Sequence, residues 1–431
     1  MTQVENSRLA GAGERAPMLS RGWDPRVRIL ARLLEGLRYG SLSVTLPSGQ
    51  KFVRVGGEPG PEASVVLHRW RALRRLFTGG DIGFAQAWID GDCSSLDLTA
   101  LIRLAARNLH GLRGAKGSSF SRLAFRLRHL LNDNTRRGSA RNIIAHYDLG
   151  NDFFRVWLDE AMVYSSALWD GSTPTLEAAQ SRKIGRVLDL LDVKGGERIL
   201  EIGSGWGTLA VRLVEAGAAR VTGLTLSPAQ LDFARDLAAA NDSASQVDFR
   251  LQDYRDIDGR YDRIVSIEMA EAVGEAWWPT YFGKIAGCLE PGGRAVLQVI
   301  TIAEEHFDDY RRTVDFIQRY IFPGGCLPSK TALHQQLEAA GLRLVSHESF
   351  GLSYARTLAE WRRRFHTGWP EIASLQFDDR FRRLWDYYLC YCSAGFLERV
   401  TDVGLYCVEH ASAPSRAKSA KSDPAGGGRD S

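Results

Sequence analysis

No stretch of this 431-residue chain carries the ~18–20 consecutive apolar residues that a membrane-crossing helix needs. Met1 to Arg26 likewise contain no apolar core of the kind an export signal has, so export is not expected. Cysteine is sparse: six residues, at positions 93, 288, 326, 390, 392 and 407, with no C-x-x-C pair. That scatter argues against zinc or iron–sulfur ligation, so no metal site is expected, and it fits buried free thiols in a reducing compartment. Acids are nearly missing from one segment. From Arg103 to Arg141, ten Lys and Arg accompany a single acid, Asp133. Leu123, Phe125, Leu127, Leu130 and Leu131 are interleaved with them, so part of the segment can form a basic amphipathic helix suited to anionic lipid headgroups. A solvated linker is the plainer alternative. No DNA- or RNA-reading motif accompanies the charge, so nucleic acid is not an expected partner.

What is present suggests two structured parts. Apolar residues make up 44% and charged residues 25%, ordinary for a globular chain longer than one typical domain. Residues 1–27 are polar and without periodicity and are expected to be disordered. Residues 28–110 read as a small α/β domain, with a helix from Val27 to Tyr39, strands at Ser41–Leu46 and Lys51–Val55, and helical runs from Leu73 and Asp97. Residues 111–140 form the basic linker. Residues 141–410 carry the alternating strands and helices, and 411–431 form an Ala/Ser/Lys/Gly-rich tail expected to be disordered.

The most informative run is Glu201-Ile202-Gly203-Ser204-Gly205-Trp206-Gly207, between the apolar strand Arg198–Leu200 and the helical run Thr208–Val214. Strand, glycine turn and helix make a nucleotide-binding βα unit. The G-x-G-x-G spacing is tighter than the dinucleotide fingerprint and suits S-adenosylmethionine better than a pyrophosphate. Strands follow at Arg220–Leu226, Val247–Leu251, Tyr261–Ile267 and Arg294–Ile300, with later ones at Leu342–Ser346 and Gly404–Val408. Ser227-Pro228 reads as an N-cap followed by proline at the first helical position. Parallel strands bind ligands beyond their C-terminal ends. Thr225, Gln230, Gln252, Asp253 and Glu268 all fall on that edge. Thr225 stands where a dehydrogenase would carry an acid for a ribose, which weakens the nicotinamide alternative. Aromatic residues crowd Ala303–Lys330 and Trp361–Phe396, and a cap of such helices would line an apolar tunnel.

The chain resembles the cyclopropane-fatty-acyl-phospholipid synthase family. The resemblance rests on His146-Tyr147-Asp148-Leu149-Gly150-Asn151-Asp152-Phe153-Phe154, Met162–Ala167, Glu201–Gly207, Leu251–Asp256 and Arg319–Ser329, collinear over about 270 residues. Asp81–Asp92 resembles the family's small lipid-associated domain. The resemblance implies a Rossmann-like class I methyltransferase with a seven-stranded sheet and a helical cap, plus a small N-terminal α/β domain. It implies that Tyr164, Ser165, Glu201, Gly203, Gly205, Gly207, Thr225, Gln230, Gln252 and Asp253 surround S-adenosylmethionine. The implied substrate is the double bond of an unsaturated acyl chain in a bilayer phospholipid, met from the cytoplasmic face by a peripheral protein that could form a homo-oligomer.

Family members hold a bicarbonate ion as base through a Cys, a Glu, a His and a Tyr. On the family's motifs these positions fall at Ser166, Ala229, Ala272 and Tyr320, so bicarbonate bound in the usual way is not expected. Glu268 and Glu271 then stand as alternative bases, with Tyr320 and neighbouring rings facing the cation. Loss of a proton from the delivered methyl closes a ring, and loss from the chain leaves a methyl-branched or methylated unsaturated product. Both outcomes stay open, as do a small or isoprenoid methyl acceptor and a lipid-binding protein without catalysis.

Overall fold

The computed structural model describes residues 24–108 and 149–411. His146, Tyr147 and Asp148, the basic segment from Arg113 to Arg141 and both tails lie outside the described residues. A four-stranded sheet comes first: β1 (Tyr39–Thr45), β2 (Lys51–Val55), β3 (Glu58–Leu67) and β4 (Cys93–Ser94), in the order β2-β1-β3-β4. Sequence reading misses β3 because Glu58-Pro59-Gly60-Pro61 looks like a turn. A Cβ on Gly60 would lie 2.7 Å from the Gly40 nitrogen, so the two chains approach where only glycine fits. Helices Pro25–Glu35, Arg71–Ile89 and Leu98–Arg107 accompany this sheet. The second of them is bent at Gly80, whose φ of 62° is not helical.

The larger sheet has seven strands in the order β10-β11-β9-β8-β5-β6-β7. They are β5 (Arg198–Ile202), β6 (Arg220–Thr225), β7 (Val247–Leu251), β8 (Tyr261–Ile267), β9 (Leu289–Ile302), β10 (Leu342–Ser349) and β11 (Thr401–His410). β5 to β9 run parallel, and β11 is antiparallel to both β9 and β10. β5 reads as a continuous apolar run with one buried acid because helices cover both faces of such a sheet. The order reverses between β5 and β8, the switch point at which α/β sheets bind ligands. Ser227 caps the helix Pro228–Ala240 as its sequence predicts, its hydroxyl accepting the Gln230 N–H at 3.3 Å. β9 begins earlier than its sequence suggests. Tyr261 pairs with Leu289 and Arg263 with Arg294, so Glu290–Gly293 bulge out between two paired segments.

Two groups of helices cap the sheet edge: Glu304–Tyr310 and Phe316–Tyr320 after β9, then Gly351–Thr367, Trp369–Ser374 and Asp379–Leu397 between β10 and β11. Most of their rings are packed core. Trp157 and Trp361 are fully buried with centroids 5.6 Å apart, and Trp361 stands 5.4 Å from Tyr164. The helix Asp379–Leu397 also packs on Arg71–Ile89 and Leu98–Arg107, joining the cap to the small sheet. Arg103 and Arg107, the first members of the basic run, both pair with the buried Glu398 side chain. Replacing Trp361 by alanine removes a ring that supports Tyr164 and is expected to cost about 3–5 kcal/mol. Urea unfolding measures that loss.

Candidate active site

The C-terminal ends of β5, β6, β8 and β9, with the turn after β7, open on one cavity of about 900 Å³. Gly203, Ser204, Gly205 and Trp206 form its floor. Gly205 has φ 52°, and a Cβ there would meet nothing within 4 Å, so bare main chain faces open space. A Cβ on Gly203 (φ 85°) would lie 2.6 Å from the Met269 side chain. Gly207 departs from its expected role. It does not line the cavity, and its missing Cβ makes room for Ala234 and Phe249.

Glu201 ends β5 with 3% of its surface exposed, and one of its carboxylate oxygens has no hydrogen-bond partner among the described residues. Burial pushes its carboxyl up to about 8, against the pull of the Lys183 ammonium. Lys183 itself is buried and donates to the Ser165 hydroxyl at 2.9 Å. Burial draws it down to about 8 although Glu268, Asp159 and Glu201 favour its charge. Thr225 donates to the Gln230 side chain at 2.9 Å, and both line the wall. Gln252 and Asp253 line it too, Asp253 held by Arg255 at 2.6 Å. Tyr164 meets Tyr388 hydroxyl to hydroxyl at 2.9 Å. An orphaned buried carboxylate beside a glycine turn, with polar side chains at three further strand ends, fits a ligand that carries hydroxyl or ammonium donors at one end and a base at the other. S-adenosylmethionine has that form. Glu201, the 203–206 main chain, Thr225, Gln230, Gln252 and Asp253 are the residues that would hold it.

Beside this site stand two acids. Glu268 adopts φ 52°, a left-handed conformation rare for a side-chain-bearing residue, at the end of β8. One of its oxygens accepts from the Ser166 N–H at 2.8 Å and the Gln298 amide at 2.6 Å, and the other accepts from the Tyr354 hydroxyl at 2.7 Å. Burial raises its carboxyl above the ordinary glutamate value, opposed by these donors and by Lys183. Glu271 accepts from the Ile300 N–H through one oxygen, while the other has no partner among the described residues. Burial and the neighbouring Glu268 push it up to about 8.

Two predicted residues sit differently from expectation. Ser166 turns its hydroxyl to the Ala167 carbonyl and serves Glu268 through its main-chain N–H instead. Tyr320 does not line the cavity, because its hydroxyl accepts the Gln86 amide of the small domain at 2.9 Å. Ala229 is exposed, its carbonyl taking the Asn151 amide, so that position bears on no ion in the cavity. Ala272 does line it. Sequence reading missed Tyr354, Tyr388, Gln298 and Lys183. Gln298 and Lys183 left a signal: Gln298 interrupts the apolar run of β9, and Lys183 lies on the buried face of Leu176–Leu191, next to Ala179, Ile184 and Val187. The two tyrosines left none among so many rings.

The family model described as mycolic acid cyclopropane synthetase matches residues 134–405, more than half of the chain. The chain belongs to that family. Among curated relatives, tuberculostearic acid methyltransferase of Mycobacterium tuberculosis is 40% identical over 365 residues, covering 80% of this chain and 83% of that protein. The cyclopropane-fatty-acyl-phospholipid synthase of Escherichia coli is 35% identical over 353 residues, covering 78% and 84%. Among solved structures, mycolic acid cyclopropane synthase CmaA1 complexed with SAH and CTAB superimposes with a TM-score of 0.58 at 30% identity, covering 62% of this chain and 97% of that one. Membership of the cyclopropane synthetase family makes the chain an S-adenosylmethionine-dependent methyltransferase acting on fatty acyl chains. Its sheet edge, with a glycine turn and a buried acid, has the form that a methyl donor would need there.

An ionised carboxylate accepts hydrogen bonds from a ligand more strongly than a neutral carboxyl does, and burial pushes the Glu201 carboxyl up to about 8. Binding of S-adenosylhomocysteine is therefore expected to weaken as pH falls below that value. In Glu201→Gln the dependence is lost and affinity drops by about 1–3 kcal/mol. Titration calorimetry across pH 6–9 reads both effects.

Proposed function

We propose that this enzyme methylates the double bond of an unsaturated acyl chain in a membrane phospholipid, with the Glu268 carboxylate as the base that completes the reaction. S-adenosylmethionine, when bound, supplies an electrophilic methyl group. The chain's residues do the rest. The 203–206 turn and Glu201 fix the donor end, while the cap excludes water that would otherwise capture a cation. As the alkene's π electrons form the new C–C bond, positive charge develops on the acyl chain. The faces of Tyr354, Tyr387 and Tyr388, which line the cavity, are suited to stabilising it. Glu268 then accepts a proton from the cation, and the C–H pair becomes a C–C bond again.

The observation that carries this reading is the setting of Glu268. Three donors hold both of its oxygens in a fixed place, which supports a side chain rather than an exchangeable ion as the base. A base fixed in this way, together with 40% identity to a protein named as a tuberculostearic acid methyltransferase, supports a methyl-branched alkene or a methylene product over a cyclopropane. The basic segment between the two domains supports work at an anionic bilayer surface on the cytoplasmic side.

Vesicles of unsaturated phospholipid with the full-length enzyme and donor are expected to yield acyl chains heavier by one methylene unit, read by mass spectrometry of their methyl esters. Proton NMR is expected to show vinylic or methylene protons and no cyclopropane signal. Glu268→Gln should lower kcat about 10²–10⁴-fold. Because burial raises the Glu268 carboxyl, wild-type activity should fall on acidification at a pH above 4.5, the ordinary value for a glutamate. Depleting bicarbonate should leave the rate unchanged; a rate that collapses and recovers on adding bicarbonate would rule out Glu268 as the sole base.

A further inference from the structure

The cavity does not end at the cap. Beyond Glu268 and Tyr388 its wall continues past Phe84 and Tyr387, whose ring centroids are 6.3 Å apart, into the small domain. There Leu34, Val44, Val65, Leu73 and Leu101 line the same space that Gly205 lines at the other end. These are core positions, between 1% and 8% exposed. The small sheet and its helices therefore enclose a hollow that opens toward the site, where a domain of this size would normally pack its interior to crystal-like density. The whole cavity, about 900 Å³, is near the top of the range of roughly 300–1,000 Å³ that pockets for single small molecules span. That leaves room for a long second occupant alongside a methyl donor.

We infer that the hollow of the small domain receives the methyl-terminal segment of the acyl chain and acts as a ruler, setting how far from that terminus a double bond meets the methyl donor. The inference rests on the acyl-chain reading above and adds to it the basis of positional selectivity. An apolar wall offers no directional contact, so depth is the one property of a hydrocarbon chain it can measure. The glycerol end is polar and belongs at the bilayer surface, which leaves the methyl end to enter. Each methylene accommodated contributes about fourfold to binding, and each one crowded out forfeits as much. Val44 on β1 and Leu34 on the helix Pro25–Glu35 are placed to test the depth from two sides.

Full-length enzyme would be assayed on phosphatidylcholine vesicles carrying monounsaturated chains in two series. One lengthens the segment from double bond to methyl end, and the other lengthens the segment from carboxyl to double bond. Wild-type kcat/KM is expected to peak sharply in the first series and vary little in the second. Val44→Phe, which shortens the hollow, should lose about tenfold on the longer methyl-end segments while keeping the shorter ones. Leu34→Ala should move the optimum to longer segments, and it decides the question alone if the phenylalanine variant does not fold. A Leu34→Ala profile unchanged in the first series, or shifted in the second instead, overturns the ruler and leaves the substrate reading standing. Methylation of no chain by the wild-type enzyme overturns both.

Discussion

A carboxylate taken out of water must be given donors or lose its charge, and the arrangement of Glu268 meets that requirement from three directions. Ser166 reaches it from the loop before the sheet, Gln298 from the adjacent strand β9 and Tyr354 from the cap. None of the three is near it in sequence. The site therefore exists only where cap and sheet are closed on each other, and the packed rings of Trp157, Trp361 and Trp385 hold that closure. The left-handed backbone at Glu268 stores strain of about 1–3 kcal/mol, which the surrounding contacts must offset.

The same dry interior explains the rest of the charge pattern. Lys183 is buried among Glu201, Asp159 and Glu268, and each carboxylate favours its ammonium form while burial opposes it. Removing a water shell strengthens every such interaction, so one buried cation can bias several acids at once. The Glu201 and Glu268 regions of the cavity are thus electrostatically linked through the Lys183 side chain. Gly203 and Gly205 supply the complementary feature, main chain that lies open to a ligand because no Cβ stands in the way.

Much of the fold was legible because its signals are local. The strand-turn-helix at Arg198–Val214, the capped helix after Ser227 and the apolar runs of β6 and β8 all follow from short patterns that tertiary contacts reinforce. β3 was not legible, since Pro59, Gly60 and Pro61 mimic a turn, and its pairing with β1 depends on a close approach to Gly40. Tyr320 illustrates the opposite error. Its neighbours suggest a site residue, yet the Gln86 side chain, 234 residues away, takes its hydroxyl.

The linear chain by itself determined the sheet edge, the glycine floor, the acids that end β5 and β8, and the aromatic wealth of the cap, because each is written in residues a few positions apart. Only the tertiary structure decided which acid is grasped by which donors, which tyrosines face the cavity and that the small domain's core is continuous with it. Those properties depend on distances between segments that lie from 30 to more than 200 residues apart, and spacing along a chain carries no record of such distances.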